Sequence, residues 1–184
     1  MTGIIEREIK VKLQEDPETF MRNLMGMGFR FKGKEEQEDI YFNGLDRDFR
    51  KTDEALRLRI VNGEVELTYK GPKLGRMTKS REEVSVRVWD RDGILRIMER
   101  LGYKPASKVR KRRYILEKDN FLVCIDTVEG LGDFVEIEGV NVTEEELVKF
   151  FEELRDKLKV FGEVITKSYL ELKVEKYGDN SDSH

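Results

Sequence analysis

At 184 residues the chain is long enough for one domain with a sizeable core. Charged residues make up 40% of it and hydrophobic ones 38%, in short patterned runs that argue against disorder except at the end. A net charge of −3 argues against a general nucleic-acid binder, and a single Cys excludes a disulfide framework or a CxxC metal site.

The elements follow from alternation and capping. Residues 4–13 alternate Glu6, Glu8, Lys10 and Lys12 with Arg7, Ile9, Val11 and Leu13, the pattern of a strand with one polar and one packed face. Asp16 as N-cap, Pro17 in the first turn and Gly26 or Gly28 at the end predict a helix, with Phe20, Leu24 and Met27 as its buried stripe. A strand is expected around 29–42, where Gln37, Asp39 and Tyr41 alternate with Glu38, Ile40 and Phe42, and a polar loop over 43–54. Residues 55–72 hold two alternating runs joined by Asn62-Gly63, the signal of a type I′ hairpin. Residues 82–89 read as a strand, and 90–103 as a helix starting near Asp90 or Asp92. A long basic strand follows over 107–118, then a turn at Asp119-Asn120 and a hairpin over 121–140 that turns at Gly130–Gly132. Thr143 with Glu146 three residues on forms a capping box at the head of a third helix. Residues 165–176 read as an irregular or helical closing segment, and 175–184 as a flexible tail.

Eight or so antiparallel strands with three helices indicate an α+β fold whose sheet curls towards closure. Residues 1–174 form a single domain on this reading. Segments 20–42 and 95–116 share a layout of helix, Gly-aromatic stop and charged strand, consistent with duplicated half-barrels. No apolar run approaches a membrane span and no leader pattern opens the chain, so a cytoplasmic protein is expected. Abundant Lys, Arg and Glu with very few Gln lean towards a heat-adapted source. A homodimer through an apolar helix face is compatible with Phe150 and Phe151, adjacent residues that cannot both face one core.

Much catalytic chemistry is absent. The only His is His184, so no catalytic triad, His-ligated zinc or His general base is available. Cys124 sits among Leu122, Val123 and Ile125 and reads as a small core residue. Residues 28–35 nearly spell a phosphate loop, but Glu35 replaces the metal-binding hydroxyl and the segment runs from helix to strand, so that motif is rejected.

The polar parity of the strands holds what remains. Alongside the first strand stand Arg57 and Arg59; Glu66, Thr68 and Lys70; Arg81, Glu83, Ser85 and Arg87; Lys108, Arg110 and Arg112; Asp126; and Glu136 with Glu138. For any one strand a solvated face is the plain reading, since antiparallel sheets often have one wet face. Three features point further. These positions are mostly fully charged where a wet face would mix in more Ser, Thr, Gln and Asn; their signs segregate by strand; and a curled sheet would turn them into a channel. Bases from several strands suit a polyanion, and clustered carboxylates suit a hard divalent cation. Together they describe a metal–triphosphate site.

These residues also form an ordered set: Glu6-x-Glu8-x-Lys10, "ALRLR", "LTYKGP", "REE", "KVRKRR", "IDTVEGLGDFVEIEG" and "TKSYLEL". In that order, from Glu6 to Leu172, they resemble the CYTH family, also called triphosphate tunnel metalloenzymes, and its class IV adenylyl cyclase-like branch in particular. The resemblance implies an eight-stranded antiparallel closed β-barrel, a tunnel with flanking helices, that binds a triphosphate and requires Mg²⁺ or Mn²⁺. Carried over by position, Glu6, Glu8, Glu136 and Glu138 would be metal ligands assisted by Asp126. Lys10, Arg57, Arg59, Lys70, Arg81, Lys108 and Arg110 would hold the phosphates, and Lys167 would close the site. Glu6, Glu8, Lys10 and Lys70 would form the catalytic group. Lys12 and Arg112 share the parity but rank lower, as residues near a tunnel mouth, and Glu66, Glu83 and Arg87 read equally as ion-pair partners.

The partner implied is a small triphosphate. Water attacking the γ-phosphorus would release orthophosphate; a ribose 3′-oxygen attacking the α-phosphorus would release pyrophosphate and cyclic AMP. Active cyclases of this branch often carry His-Phe shortly before the first carboxylates, and residues 1–5 lack it, which places hydrolysis of inorganic, nucleoside or thiamine triphosphate ahead of cyclisation. A rival of another class is a non-catalytic binder of nucleotide, polyphosphate or RNA ends gripping phosphates with residues 108–113. Such a binder has no use for four clustered carboxylates.

Overall fold

A computed structural model describes residues 4–74 and 81–178, with side chains from Arg7 onward. In chain order the elements are β1 (Ile4–Leu13), α1 (Pro17–Gly26), β2 (Arg30–Phe42), α2 (Phe49–Thr52), β3 (Ala55–Val61), β4 (Glu64–Lys70), β5 (Arg81–Val88), α3 (Arg91–Arg100), β6 (Pro105–Lys118), β7 (Phe121–Val128), β8 (Gly132–Gly139), α4 (Glu144–Leu158), β9 (Phe161–Ile165) and α5 (Tyr169–Tyr177). The fold is α+β, as expected. All the strands join one antiparallel sheet in the order β5-β4-β3-β2-β6-β7-β8-β1-β9. β5 also pairs with β1, through Ile4↔Glu83, Ile5↔Glu82 and Glu6↔Arg81.

Local chemistry explains the boundaries. Asp16 accepts from the Thr19 N–H at 2.9 Å, and Pro17 opens α1 without losing a needed donor. Asn62 and Gly63 both hold positive φ, 51° and 84°, which a type I′ turn requires. Thr143 and Glu146 close the capping box of α4 in both directions, at 3.2 and 2.6 Å. Within 43–54, α2 forms where only a loop was expected; the Asp48 carboxylate accepts from the Arg50 N–H and Asn43 accepts from the Phe49 N–H. The closing segment is helical, because Ser168 and Glu171 form a second capping box that starts α5 at Tyr169, and the short strand β9 precedes it. Residues 175–177, expected in the tail, are the last turn of α5, and 179–184 lie outside the described residues.

Alternation assigns the two faces. The odd parity of β1 (Ile9, Val11, Leu13) joins Val123 and Ile125 of β7 and Val135 and Ile137 of β8 beneath Phe20 and Leu24 of α1 and Leu147, Phe151 and Leu154 of α4. Each such side chain contributes about 1.5–3 kcal/mol by leaving water. A second cluster sets Ile40, Phe42, Leu58 and Val65 under Met98 of α3. Both clusters lie between sheet and helices, so the opposite parity of these strands is left for polar residues. Phe150 and Phe151 do pack on one cluster, Phe151 within it and Phe150 stacked on Phe121 with centroids 3.9 Å apart. The sequence argument for a dimer therefore falls away: the outer phenylalanine is covered by its own sheet. No helix of the described residues is long and apolar enough to cross a membrane.

Candidate active site

The polar parity of seven strands meets around one cavity of about 420 Å³. On one wall, β1 pairs with β8 so that Glu8 faces Glu138 and Lys10 faces Glu136. That register brings Glu8, Glu136 and Glu138 together, each offering a carboxylate oxygen within 4.8 Å of the others. Three carboxylates so close repel one another unless cations intervene. Lys10 Nζ stands 3.0 Å from Glu136 Oε1, and Arg113 of β6 bonds Glu136 and lies 3.3 Å from Glu138 Oε1. An oxygen cluster of this spacing could hold a hard divalent ion.

Asp126 of β7 lies behind that wall, with no solvent exposure. Its carboxylate accepts from Arg113 Nε (2.7 Å) and Nη2 (2.6 Å), from Lys111 Nζ (3.1 Å) and from the Tyr169 hydroxyl (2.7 Å). Burial pushes the Asp126 carboxyl up, but Arg113 and Lys111 outweigh it and hold the group low. Burial, reinforced by Arg113, pushes the Lys111 ammonium down. Cys124, one step along the same face, is a buried thiol that burial raises well above its usual range, so it is inert.

The other walls are basic. Arg57 and Arg59 come from β3, Lys70 from β4 and Arg81 from β5. Asp39 of β2 takes Arg59 in a two-pronged pair, 2.7 Å on each arm. Lys70 pairs with Glu83 across the β4–β5 ladder. Arg57 is only 6% exposed, and among the described residues its Nε has no hydrogen-bond partner. A buried N–H without an acceptor is costly, and an anion entering the cavity would satisfy it. Where α5 meets the strands, Lys167, Tyr169, Glu171 and Glu175 line the cavity. Lys167 pairs with Glu175 at 2.7 Å, and Lys73 bridges Asp53 and Glu171.

Residues 5–174 match the CYTH domain family. The chain belongs to that family. A Methanocaldococcus jannaschii protein named "Putative adenylate cyclase MJ0240" is 45% identical over 174 residues, covering 92% of this chain and 99% of that one. Adenylate cyclase CyaB of Aeromonas hydrophila is 27% identical over 157 residues, 84% of this chain and 78% of that one. Among solved structures, the PH1819 protein of Pyrococcus horikoshii superposes with a TM-score of 0.78 at 39% identity, covering 93% of this chain and 99% of that chain.

The CYTH cavity gathers most of the residues expected from sequence: Glu8, Lys10, Arg57, Arg59, Lys70, Arg81, Glu136, Glu138 and Lys167 all line it. Glu6 stands opposite Arg81 in register, and its side chain lies outside the described residues. Asp126 is close by but committed: four donors saturate its two oxygens, so it braces Arg113 and is not among the clustered carboxylates. Lys108 and Arg110 are not brought in. β6 turns its odd parity to the cavity, so Lys111 and Arg113 line it, while Arg110 points outward to Glu38 at 2.8 Å. The carbonyl of Lys108 accepts from Lys173 at 2.6 Å. Lys12 leaves the cavity too, its Nζ donating to the Leu131 carbonyl at 2.8 Å. Among the cavity residues that escaped the sequence reading as site residues are Asp39, Lys111, Arg113 and Tyr169. Asp39 carried a signal, because it shares the parity of Gln37 and Tyr41 in a strand whose other parity holds Ile40 and Phe42.

Proposed function

We propose that this CYTH chain is a Mg²⁺- or Mn²⁺-dependent phosphohydrolase of a triphosphate, bound in an eight-stranded tunnel that the β1–β5 pairing closes. One observation carries the reading. Among the described lining residues nine acids stand against nine bases, with three of the acids clustered at cation-binding distance. A cavity balanced in this way is no general anion trap. It suits a polyanion that arrives with its own divalent cations, and this also weighs against a plain phosphate-gripping protein.

Glu8, Glu136 and Glu138 would hold the metal, joined by Glu6 on the strength of the sequence resemblance. When bound, Mg²⁺ or Mn²⁺ would neutralise phosphate oxygens and acidify water. Arg57, Arg59, Lys70, Arg81 and Lys10 would hold the phosphate oxygens and orient the terminal phosphorus, with Lys167 at the closing segment. Asp39 and Asp126 keep Arg59 and Arg113 pointed at the substrate. With no His in the cavity, a carboxylate takes the proton of the attacking water; its oxygen bonds the γ-phosphorus as the bridging P–O bond breaks, releasing orthophosphate. The names of the relatives favour a second reading, in which ATP is cyclised with loss of pyrophosphate.

Incubation with ATP, tripolyphosphate and thiamine triphosphate, with and without Mg²⁺ or Mn²⁺, separates these. Orthophosphate is the expected product; cyclic AMP with pyrophosphate would establish the cyclase instead, and no turnover of any substrate would leave only binding. Glu8→Gln is expected to lose metal-dependent turnover, by about 100-fold or more, while unfolding at an unchanged temperature.

A further inference from the structure

The proposed chemistry gives α5 no role beyond covering the cavity, yet the first residue of that helix is built into the charged wall. Tyr169 is 5% exposed, with its ring edge against Phe134 at a centroid distance of 5.1 Å. The Lys10 ammonium sits over the face of its ring, 3.6 Å from the centroid, and Lys111 Nζ lies 4.8 Å from the same centroid. Lys10 Nζ also lies 3.0 Å from Glu136 Oε1 and donates to the Lys167 carbonyl at 3.3 Å. Lys10 is itself only 2% exposed. Two of these contacts, the ring and the carbonyl, come from residues 167–169, where the chain enters α5.

We propose that Tyr169 is a positioning residue. Its ring, with the Lys167 carbonyl, shares the Lys10 ammonium with Glu136 and fixes it in the cavity wall, so that docking of α5 completes the phosphate site. Alone with Glu136, 3.0 Å away, the buried ammonium would be committed to that one carboxylate. A ring face and a carbonyl dipole share it without adding negative charge. The cation then meets an incoming phosphate already desolvated and in place, which is preorganisation. The tyrosine hydroxyl serves a separate end, as one of four donors to Asp126, and its loss leaves three. Because the segment that positions Lys10 is also the start of a helix, anion binding and α5 docking must be linked in both directions. The rest of α5 combines apolar packing of Leu170 and Leu172 with polar contacts: Lys173 to the Lys108 carbonyl, Tyr177 and Lys176 to the Gly130 carbonyl, and Lys73 to Glu171.

This inference rests on the reading of Lys10 as a phosphate contact, and the test separates the two. The tripolyphosphate ligand is the Mg²⁺ complex of its hydrolysis-resistant imido analogue, and its binding is measured by calorimetry, so that turnover does not enter. Tyr169→Leu is expected to weaken binding about tenfold, and Tyr169→Phe, which keeps the ring, by less than about twofold. In a Lys10→Met background the Tyr169→Leu effect should vanish, since the ring then has no ammonium to hold. An undiminished Tyr169→Leu effect in that background overturns the proposal, as does equal weakening by the Phe and Leu variants. Hydrogen exchange on the unaltered protein serves where a variant fails to fold: tripolyphosphate should slow exchange across residues 169–177, and unchanged rates there sink the linkage. If the unaltered protein binds no tripolyphosphate, the phosphate reading of Lys10 falls with it; if it binds and Tyr169→Leu binds equally well, only the positioning role fails.

Discussion

Asp39 is 2% exposed and takes both arms of the Arg59 guanidinium, so it carries a buried charge whose only justification is its partner. Burial pushes its carboxyl up, but Arg59, aided by Arg57 and Lys111, overrides this and holds it well below the usual carboxylate range. The folded-state value therefore lies below the unfolded one of about 4. The stability from this pair is fully present above that pH and is lost as pH falls through the folded value. Asp39→Asn should cost about 3 kcal/mol at neutral pH, because it strands the Arg59 charge in the wall. The gap to the unaltered protein should narrow below about pH 4, where Asp39 of the unfolded chain begins to protonate while the folded one stays charged. Thermal unfolding from pH 7 to pH 3 measures this, and a gap that stays constant would show that the pair is not the source. Asp126 differs in kind: with four donors around it, its work is to hold Arg113 and Lys111 apart yet facing the same cavity.

At the level of elements, β6 is the strand where sequence and structure part. In residues 108–113 both parities are basic apart from Val109, so composition cannot say which face turns inward. Val109 invites the wrong choice, since an apolar residue is expected to pack outward under helices. It faces inward because the interior is itself apolar at that level, where Val109 clusters with Tyr41, Phe134 and Tyr169. The cross-strand pairing of Arg113 with Asp126 decides the parity, and such a long-range register is not readable from one strand. Elsewhere the faces were legible: β3 has one unmixed apolar parity, β1 and β8 interrupt theirs only with Arg7 and Asp133, and the caps of α1 and α4 stand in the sequence as local chemistry. Missed elements, α2 and β9, are short, 4 and 5 residues, and their identity depends on neighbours. The consequence for β6 is direct. Arg113→Ala should lower kcat/KM by about 100-fold or more, leaving Asp126, Glu136 and Glu138 without their shared cation. Arg110→Ala removes only a pair whose arginine side chain is 59% exposed, and should change turnover by less than about twofold. Equal losses from the two would restore the parity read from sequence.

For the whole molecule, the two apolar clusters under the helices lie on one face of the sheet and the charged cavity, with a smaller apolar cluster beside it, on the other, so most of the packing and the site are held by opposite parities of the same strands. The ladder that carries Glu8 opposite Glu138 also carries Ile9 opposite Ile137, within the larger cluster. An ion bound to the carboxylates would thus tie together the inner face of a ladder that helices already hold from outside. Binding to the folded state alone stabilises by mass action, by about 2.7 kcal/mol at a hundredfold excess over Kd. For a domain of this size that corresponds to a rise in Tm of about 5–10 °C. The unaltered protein, stripped with chelator and then given Mn²⁺ or Mg²⁺, should show that rise without any substrate present. Glu138→Gln weakens the ion's site while leaving Ile137 and the outer packing intact, so its metal-free Tm should stay within about 2 °C of the unaltered protein while most of the metal-induced rise disappears. A variant that keeps the full rise would place the ion elsewhere on the chain, and the β1–β8 ladder would then be a structural wall carrying charges for the phosphates alone.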